Sequence, residues 1–393
     1  MQNAENPFWY GDTVAPLVAR DADVAALVDA LSNAGRVLLA GPRHVGKSAV
    51  LATACDNATA LGVAVLTYDA EAHESLESLA RELASGATRT FATSLDHAGD
   101  IARRFFAPIH AGASYDFTTQ RLTIGFSPTP AQRQRPITIL TAVLDGIEQL
   151  AATHGRPTAV ILDEFHEILT EGGDGAAQEL RSAIASHRFT GYVFATSRLR
   201  LLDTTPLAHL GRPHLLGPIP RHDFRPFIRR GLASTGAPID DAAIDRILDA
   251  AGDVPLNVQW LSSRCWDDLQ LGADPALTPA RVDATLDRIV GEHYPHYMLM
   301  WASLTSAQRR TLKAVALEPA TDFRLTEVAG SAGLAPSTMQ RTLAALEERG
   351  LIHYATLQPG SQPGTQSGTE RASYWRLSDP FFTLWLARAQ ASV

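Results

Sequence analysis

Apolar residues along this chain fall into two kinds of pattern. Short, nearly unbroken runs at Arg36–Ala40 (RVLLA), Val63–Thr67 (VAVLT), Thr158–Leu162 (TAVIL) and Tyr192–Ala195 (YVFA) are bounded by polar or glycine-containing turns. Runs this short and apolar read as strands buried on both faces, as in a parallel sheet covered by helices. Stretches between them read as helices, at Ser48–Cys55, His73–Ala84, Ile137–Ala152 and Phe165–Thr170. Alternation at Ser114–Phe126 predicts a hairpin inside a long excursion, 72–152, that either adds cover to the core or offers a surface to a protein partner. A further strand is expected at His214–Leu216, and after Pro220 the pattern is helical from Asp223 to Val290.

The last hundred residues change pattern again. Ser306–Leu317 and Leu325–Ala332 read as helices, followed by a turn at Gly333-Leu334-Ala335-Pro336. A third helix, capped by Ser337, places Met339, Leu343 and Leu346 on one face and ends at Arg349-Gly350. Strands at Leu351–Thr356 and Ser373–Leu377, around a Gly/Gln/Ser/Thr-rich tip at 358–369, complete a winged-helix pattern. The expected domains are therefore 1–220, 221–292 and 293–393.

The strongest chemical signal sits between the first strand and its helix. Gly41-Pro42-Arg43-His44-Val45-Gly46-Lys47-Ser48 fits G-x-x-x-x-G-K-[ST] without a mismatch, and Ala49 continues into the helix. The glycines let backbone N–H groups turn inward around a phosphate chain, and the helix presents its positive end to the anion. Lys47 is expected to neutralise β- and γ-phosphate charge, and the Ser48 hydroxyl to ligate Mg²⁺. Lys47 is one of only two lysines in the chain, the other being Lys313.

Asp163-Glu164 close the strand at Thr158–Leu162, at the carboxyl end where ligands sit in open α/β sheets. Asp163 is expected to hold Mg²⁺ through its water shell and Glu164 to polarise the attacking water. The two acids also suit a helix N-terminus. Thr196-Ser197-Arg198 end the next strand, where they face the γ-phosphate as sensors or satisfy a turn. The expected ligands are ATP or ADP with Mg²⁺, and the expected reaction is ATP hydrolysis, slow if the chain is a switch.

Composition narrows the class further. At 393 residues the chain suits two to three domains; Cys55 and Cys265 give neither a disulfide framework nor metal-ligand spacing. The start MQNAENPFWYGD lacks a basic, apolar leader, and nowhere do 18 apolar residues run uninterrupted, so a cytoplasmic protein without membrane contact is expected. A net charge of −8 argues against a chain coated in nucleic acid and leaves room for a local basic surface.

Several pieces together carry a family likeness. They are Asn6-Pro7-Phe8 with Gly11, Arg20-Asp21 and Leu27; the Gly41–Ser48 loop; Ile161-Leu162-Asp163-Glu164-Phe165; Leu180-Arg181-Ser182 with His187 and Gly191-Tyr192-Val193-Phe194; and Asp379-Pro380-Phe381-Phe382 with Trp385-Leu386. The chain resembles the archaeal-type ATPases, which have bacterial members, in the STAND branch of the AAA+-related P-loop ATPases. The resemblance implies an α/β P-loop NTPase of the ASCE/AAA+ type: a parallel sheet, a helical lid and a C-terminal winged helix. Thr196-Ser197 stand where members often have Gly-Ser, and His166 where glutamine is common. Gly252-Asp253-Val254-Pro255 looks like the family's G-x-P motif with one extra residue, and implies that Pro255 packs against adenine. Leu256 and Asn257 replace the arginine of AAA+ motors, which favours a switch over processive work. Arg212 sits where AAA+ proteins carry an arginine finger, or is a solvated turn residue.

Two functions follow as expectations. One is a nucleotide-controlled switch that changes its association with partners, including copies of itself. The other is a DNA-binding ATPase related to replication initiators, whose winged helix offers Thr338, Gln340, Arg341 and Arg349 to duplex DNA. Winged helices also serve as lids and protein docking modules.

Overall fold

The computed structural model describes residues 5–8, 17–73, 75–109, 112–116, 121–125, 135–173, 175–199, 209–271, 276–317, 329–356 and 373–391. Arg20–Gly41 and Lys47–Leu216 form one compact unit; Gly217–Val393 form the other, with Met1–Ala19 and Pro42–Gly46.

The first unit is built on a parallel sheet. Its elements run α1 (Asp21–Ser32), β1 (Arg36–Ala40), α2 (Lys47–Ala60), β2 (Ala64–Asp69), α3 (Leu76–Phe91), α4 (Leu95–Phe105), β3 (Gly112–Asp116), β4 (Arg121–Gly125), α5 (Pro136–His154), β5 (Thr158–Asp163), α6 (His166–Leu169), α7 (Ala176–Ile184), β6 (Thr190–Thr196) and β7 (Arg212–Leu215). Strands β2, β5, β6, β1 and β7 lie in that order, all parallel. The buried runs of β1, β5 and β6 explain why the apolar patches were so continuous: both faces are covered.

The excursion is part of this core. α3 buries Leu76, Leu79, Leu83 and Phe91, and α5 buries Ile139, Leu140, Val143, Leu144 and Ile147 in the same cluster. Gly146 lets α5 approach the end of α4 closely, since a Cβ there would stand 2.5 Å from the Phe105 carbonyl oxygen. α4 had no counterpart in the sequence reading; Ser94 caps it by accepting from His97 N–H. The expected hairpin forms as β3 and β4, with its turn outside the described residues.

The second unit continues with α8 (Arg221–Ala233), α9 (Asp241–Ala251), α10 (Pro255–Leu271), α11 (Pro279–Glu292), α12 (Tyr294–Ala302), α13 (Ser306–Leu317), α14 (Pro336–Glu348), β8 (Ile352–Thr356), β9 (Ser373–Leu377) and α15 (Pro380–Ala391). β8 and β9 pair antiparallel, and α14 buries Met339, Thr342, Leu343 and Leu346, as expected of a winged helix. Ser337 does not cap α14. The helix starts one residue earlier at Pro336, whose fixed φ suits a first helical position, and Ala335 occupies the cap. The wing tip at 358–369 and the start of the helix expected at Leu325 lie outside the described residues, as does Gly11. Asn6 donates through Nδ2 to Ser263 Oγ at 3.0 Å and Asp267 Oδ1 at 2.9 Å, and the Phe8 ring lies edge-on to Phe227 at 5.7 Å. The opening motif is therefore an anchor to α8 and α10.

Candidate functional site

Parallel pairing brings the ends of β1, β5 and β6 together. Ala40 is level with Thr196, and Leu162 with Phe194, so residues that follow these strands converge at one edge of the sheet. Gly41 N–H donates to the Thr196 carbonyl at 3.2 Å, which carries the β1–β6 pairing one step into the phosphate loop. Within that loop Gly46 has φ +99° and His44 φ +65°. Gly46 is thus in a conformation a β-carbon disfavours, which accounts for glycine there.

Lys47 opens α2 and is buried, with 6% of its surface exposed. Its ammonium donates to the Gly41 carbonyl at 3.1 Å and lies 3.5 Å from Glu164 Oε1. A buried cation needs such partners, because desolvation is otherwise prohibitive. Ser48, one residue on and exposed, donates from Oγ to Asp163 Oδ2 at 3.2 Å.

Glu164 is held from several sides. Its Oε2 accepts from Ser197 N–H at 2.9 Å and lies 3.4 Å from His166 Nδ1. The backbone has φ +44°, a left-handed conformation that costs a non-glycine residue roughly 1–3 kcal/mol. Its own N–H donates to Asp163 Oδ1 at 3.0 Å. Burial alone would push the Glu164 carboxyl up, but the Lys47 charge, the Ser197 hydrogen bonds and His166 more than offset it and hold it below its ordinary value. Asp163 goes the other way. Burial and the adjacent Glu164 charge raise it, and Lys47, the Glu164 N–H and the Ser48 hydroxyl offset this only in part. Two neighbouring carboxylates are thus shifted in opposite directions, Asp163 up and Glu164 down.

The end of β6 completes the cluster. Thr196 Oγ1 lies 2.9 Å from His166 Nδ1 and accepts from Arg198 N–H at 3.1 Å. Both Thr196 and His166 are buried. The structure therefore brings together Gly41, Lys47, Ser48, Asp163, Glu164, Thr196, Ser197 and the Arg198 backbone. Pro255 opens α10 in the other compact unit. Arg212 is exposed at the start of β7, level with Val37 at the start of β1, rather than in a turn. His166 is a participant the sequence showed only as a departure from the family pattern.

The oxygens of Ser48 and Asp163 suit a hard divalent cation. Mg²⁺ takes one or two protein oxygens and fills its octahedron with water and phosphate. Among the described residues no cluster of three or more His, Cys, Asp or Glu side chains is arranged to hold a metal. No described helix is long and apolar enough to cross a membrane.

In the winged helix, Gln340 and Arg341 are exposed on α14. Arg349 is engaged within the protein: its Nη2 donates to Ser303 Oγ at 2.6 Å.

Residues 16–195 match the AAA ATPase domain family, and residues 312–355 match the IclR helix-turn-helix domain family. No curated protein matches the chain. Among solved structures it is similar to the Walker-type ATPase paby2304 of Pyrococcus abyssi, at 17% identity and a TM-score of 0.57, over 94% of this chain and 96% of that one. It also aligns with the ORC1 protein of Aeropyrum pernix, solved in complex with DNA, at 13% identity and a TM-score of 0.48 over 95% and 93% of the two chains. Cdc6p of Pyrobaculum aerophilum aligns at 12% identity and 0.45 over 97% and 95%. At such identity the Pyrococcus likeness is one of fold.

Proposed function

We propose that this chain, an AAA ATPase domain followed by an IclR-type winged helix-turn-helix, is a DNA-binding, Mg²⁺-dependent ATP hydrolase of the cytoplasm. The observation that carries the hydrolytic part is the junction of Lys47, Ser48, Asp163 and Glu164 at one sheet edge. Residues 41–49 cradle the phosphates. Lys47 binds the β- and γ-phosphate oxygens, and Ser48 with Asp163 would hold Mg²⁺, which would supply positive charge against the phosphates. Glu164 polarises the attacking water, and Thr196, Ser197 and Arg198 report the γ-phosphate.

The helix-turn-helix match and exposed Gln340 and Arg341 support duplex DNA as the partner of the winged helix. A nucleotide-controlled switch, with nucleotide-dependent self-association or a protein partner, is the second reading. It is favoured by a bond from Asn257, close to Pro255 on α10, to Asp379 beside the winged helix.

The test is Mg²⁺-dependent ATP hydrolysis by wild type and Lys47→Ala, with and without duplex DNA, with the mass of each sample followed by light scattering. Turnover that falls about 100-fold in the variant and rises with DNA supports the proposal. Lys47-dependent turnover that ignores DNA, with a nucleotide-dependent change in mass, transfers support to the switch.

A further inference from the structure

His166 is buried, with 3% of its surface exposed, between the acid turn and β6. Its position is fixed by the backbone: Phe165 N–H donates to the Ala195 carbonyl at 3.1 Å, and the Phe165 ring packs on Phe194 at 5.2 Å. These contacts direct the next side chain toward β6, where Nδ1 meets Thr196 Oγ1 at 2.9 Å and Glu164 Oε2 at 3.4 Å. The tautomer follows from the neighbours. A lone pair on Nδ1 would face an ionised carboxylate oxygen, whereas a hydrogen there serves both oxygens.

Glu164 therefore has two unlike oxygens. Oε2 is fixed by the Ser197 N–H and faces His166, while Oε1 faces Lys47 at 3.5 Å. We propose that His166 is a positioning residue for hydrolysis: with the Ser197 N–H it fixes Oε2, so that Oε1 takes the water once Lys47 engages the phosphates. In that step the water oxygen bonds to the γ-phosphorus, the bond to the bridging oxygen breaks and leaves its electron pair on ADP, and a water proton passes to Oε1. This role rests on the hydrolytic reading above. It also wires β6 to the base, because Thr196 and Ser197 hold the two groups that orient it.

The test compares His166→Leu with His166→Asn, whose amide nitrogen can stand in the place of Nδ1. Phosphate release gives kcat and KM, and a fluorescent ADP analogue gives nucleotide affinity without turnover. The expected result is a kcat lowered about 10-fold or more in the leucine variant, with KM and analogue affinity within about twofold of wild type, and most of kcat restored by asparagine. Unchanged kcat in the leucine variant, or equal loss in both variants, overturns the positioning role while leaving Lys47-dependent hydrolysis in place. Absence of Lys47-dependent turnover in wild type overturns the hydrolytic reading, and this role with it.

Discussion

Asn257 donates from Nδ2 to Asp379 Oδ1 at 3.2 Å, joining two residues 122 positions apart in sequence. Asp379 also accepts from the Tyr297 hydroxyl through Oδ2 at 2.9 Å and from Phe381 N–H through Oδ1 at 2.9 Å. One carboxylate thus gathers α10, α12 and the start of α15. Behind it Phe381 and Phe382 pack against Trp260 and Tyr297, at 5.3 and 5.2 Å between ring centroids. Substituting Asp379→Ala removes the shared acceptor and is expected to cost about 2–3 kcal/mol. Urea denaturation followed by tryptophan fluorescence measures it; a loss below about 0.5 kcal/mol would show that the contact contributes little.

His353 on β8 predicts an acid-sensitive second unit. Burial, with the charge of Arg376 and then His44 nearby, lowers its pKa from 6.5 to about 4. The folded imidazole therefore resists protonation that the unfolded chain accepts. Its contribution is complete above about pH 6.5 and is lost as pH falls toward 4, by up to about 3 kcal/mol. Melting temperatures across that window should fall less steeply for His353→Gln than for wild type. Parallel curves would remove His353 as the cause.

Much of this architecture was legible because burial on both faces leaves a continuous apolar run, as at Thr158–Leu162, and because Gly41–Ser48 is constrained by chemistry as well as by fold. Met339, Leu343 and Leu346 were readable from helical spacing alone. Other features were hidden for physical reasons. α4 mixes Asp96, His97, Arg103 and Arg104 with its buried residues and carries no unbroken apolar run. The hydroxyl partner of His166, on Thr196, lies 30 residues away on another strand, and nothing local announces it. Asp379-Pro380-Phe381 was recognisable as a family motif, but its bonds to Asn257 and Tyr297 exist only after folding.

The excursion between β2 and β5 offers a packing test. Tyr68 donates its hydroxyl to the Glu82 carbonyl at 2.9 Å, and a Cβ added at Gly86 would lie 1.8 Å from that hydroxyl oxygen. Gly86→Ala must displace the ring and break this bond, at an expected cost of about 2–4 kcal/mol. Ala-for-Gly in a helix ordinarily stabilises by up to about 1 kcal/mol, so the sign itself is diagnostic. A higher melting temperature in the variant would mean that Tyr68 has an alternative seat.

The winged helix makes a quantitative prediction about salt. If Arg341 on α14 meets a DNA phosphate, Arg341→Ala should weaken binding to every duplex alike and reduce the slope of log K against log salt by about 1. Fluorescence anisotropy from 50 to 200 mM salt reads both quantities. A sequence-dependent loss would place Arg341 on a base edge. No loss would take α14 away from the DNA.

The Lys47–Glu164 pair sets binding against turnover. The Glu164 carboxylate lies 3.5 Å from the Lys47 ammonium, so phosphate oxygens compete with it for that charge. Glu164→Gln removes that competing charge but leaves the Gly41 carbonyl to orient Lys47. ATP affinity should therefore hold or rise, while hydrolysis falls about 100-fold because the amide cannot take a proton from water. Equilibrium binding of labelled ATP and single-turnover phosphate release separate the two effects. Asp163→Asn should behave differently: it changes the partner of Ser48 and the proposed Mg²⁺ ligand, so its loss should appear in Mg²⁺ dependence. Turnover unchanged in Glu164→Gln would remove Glu164 from the chemical step and reduce its bond to Lys47 to a structural one.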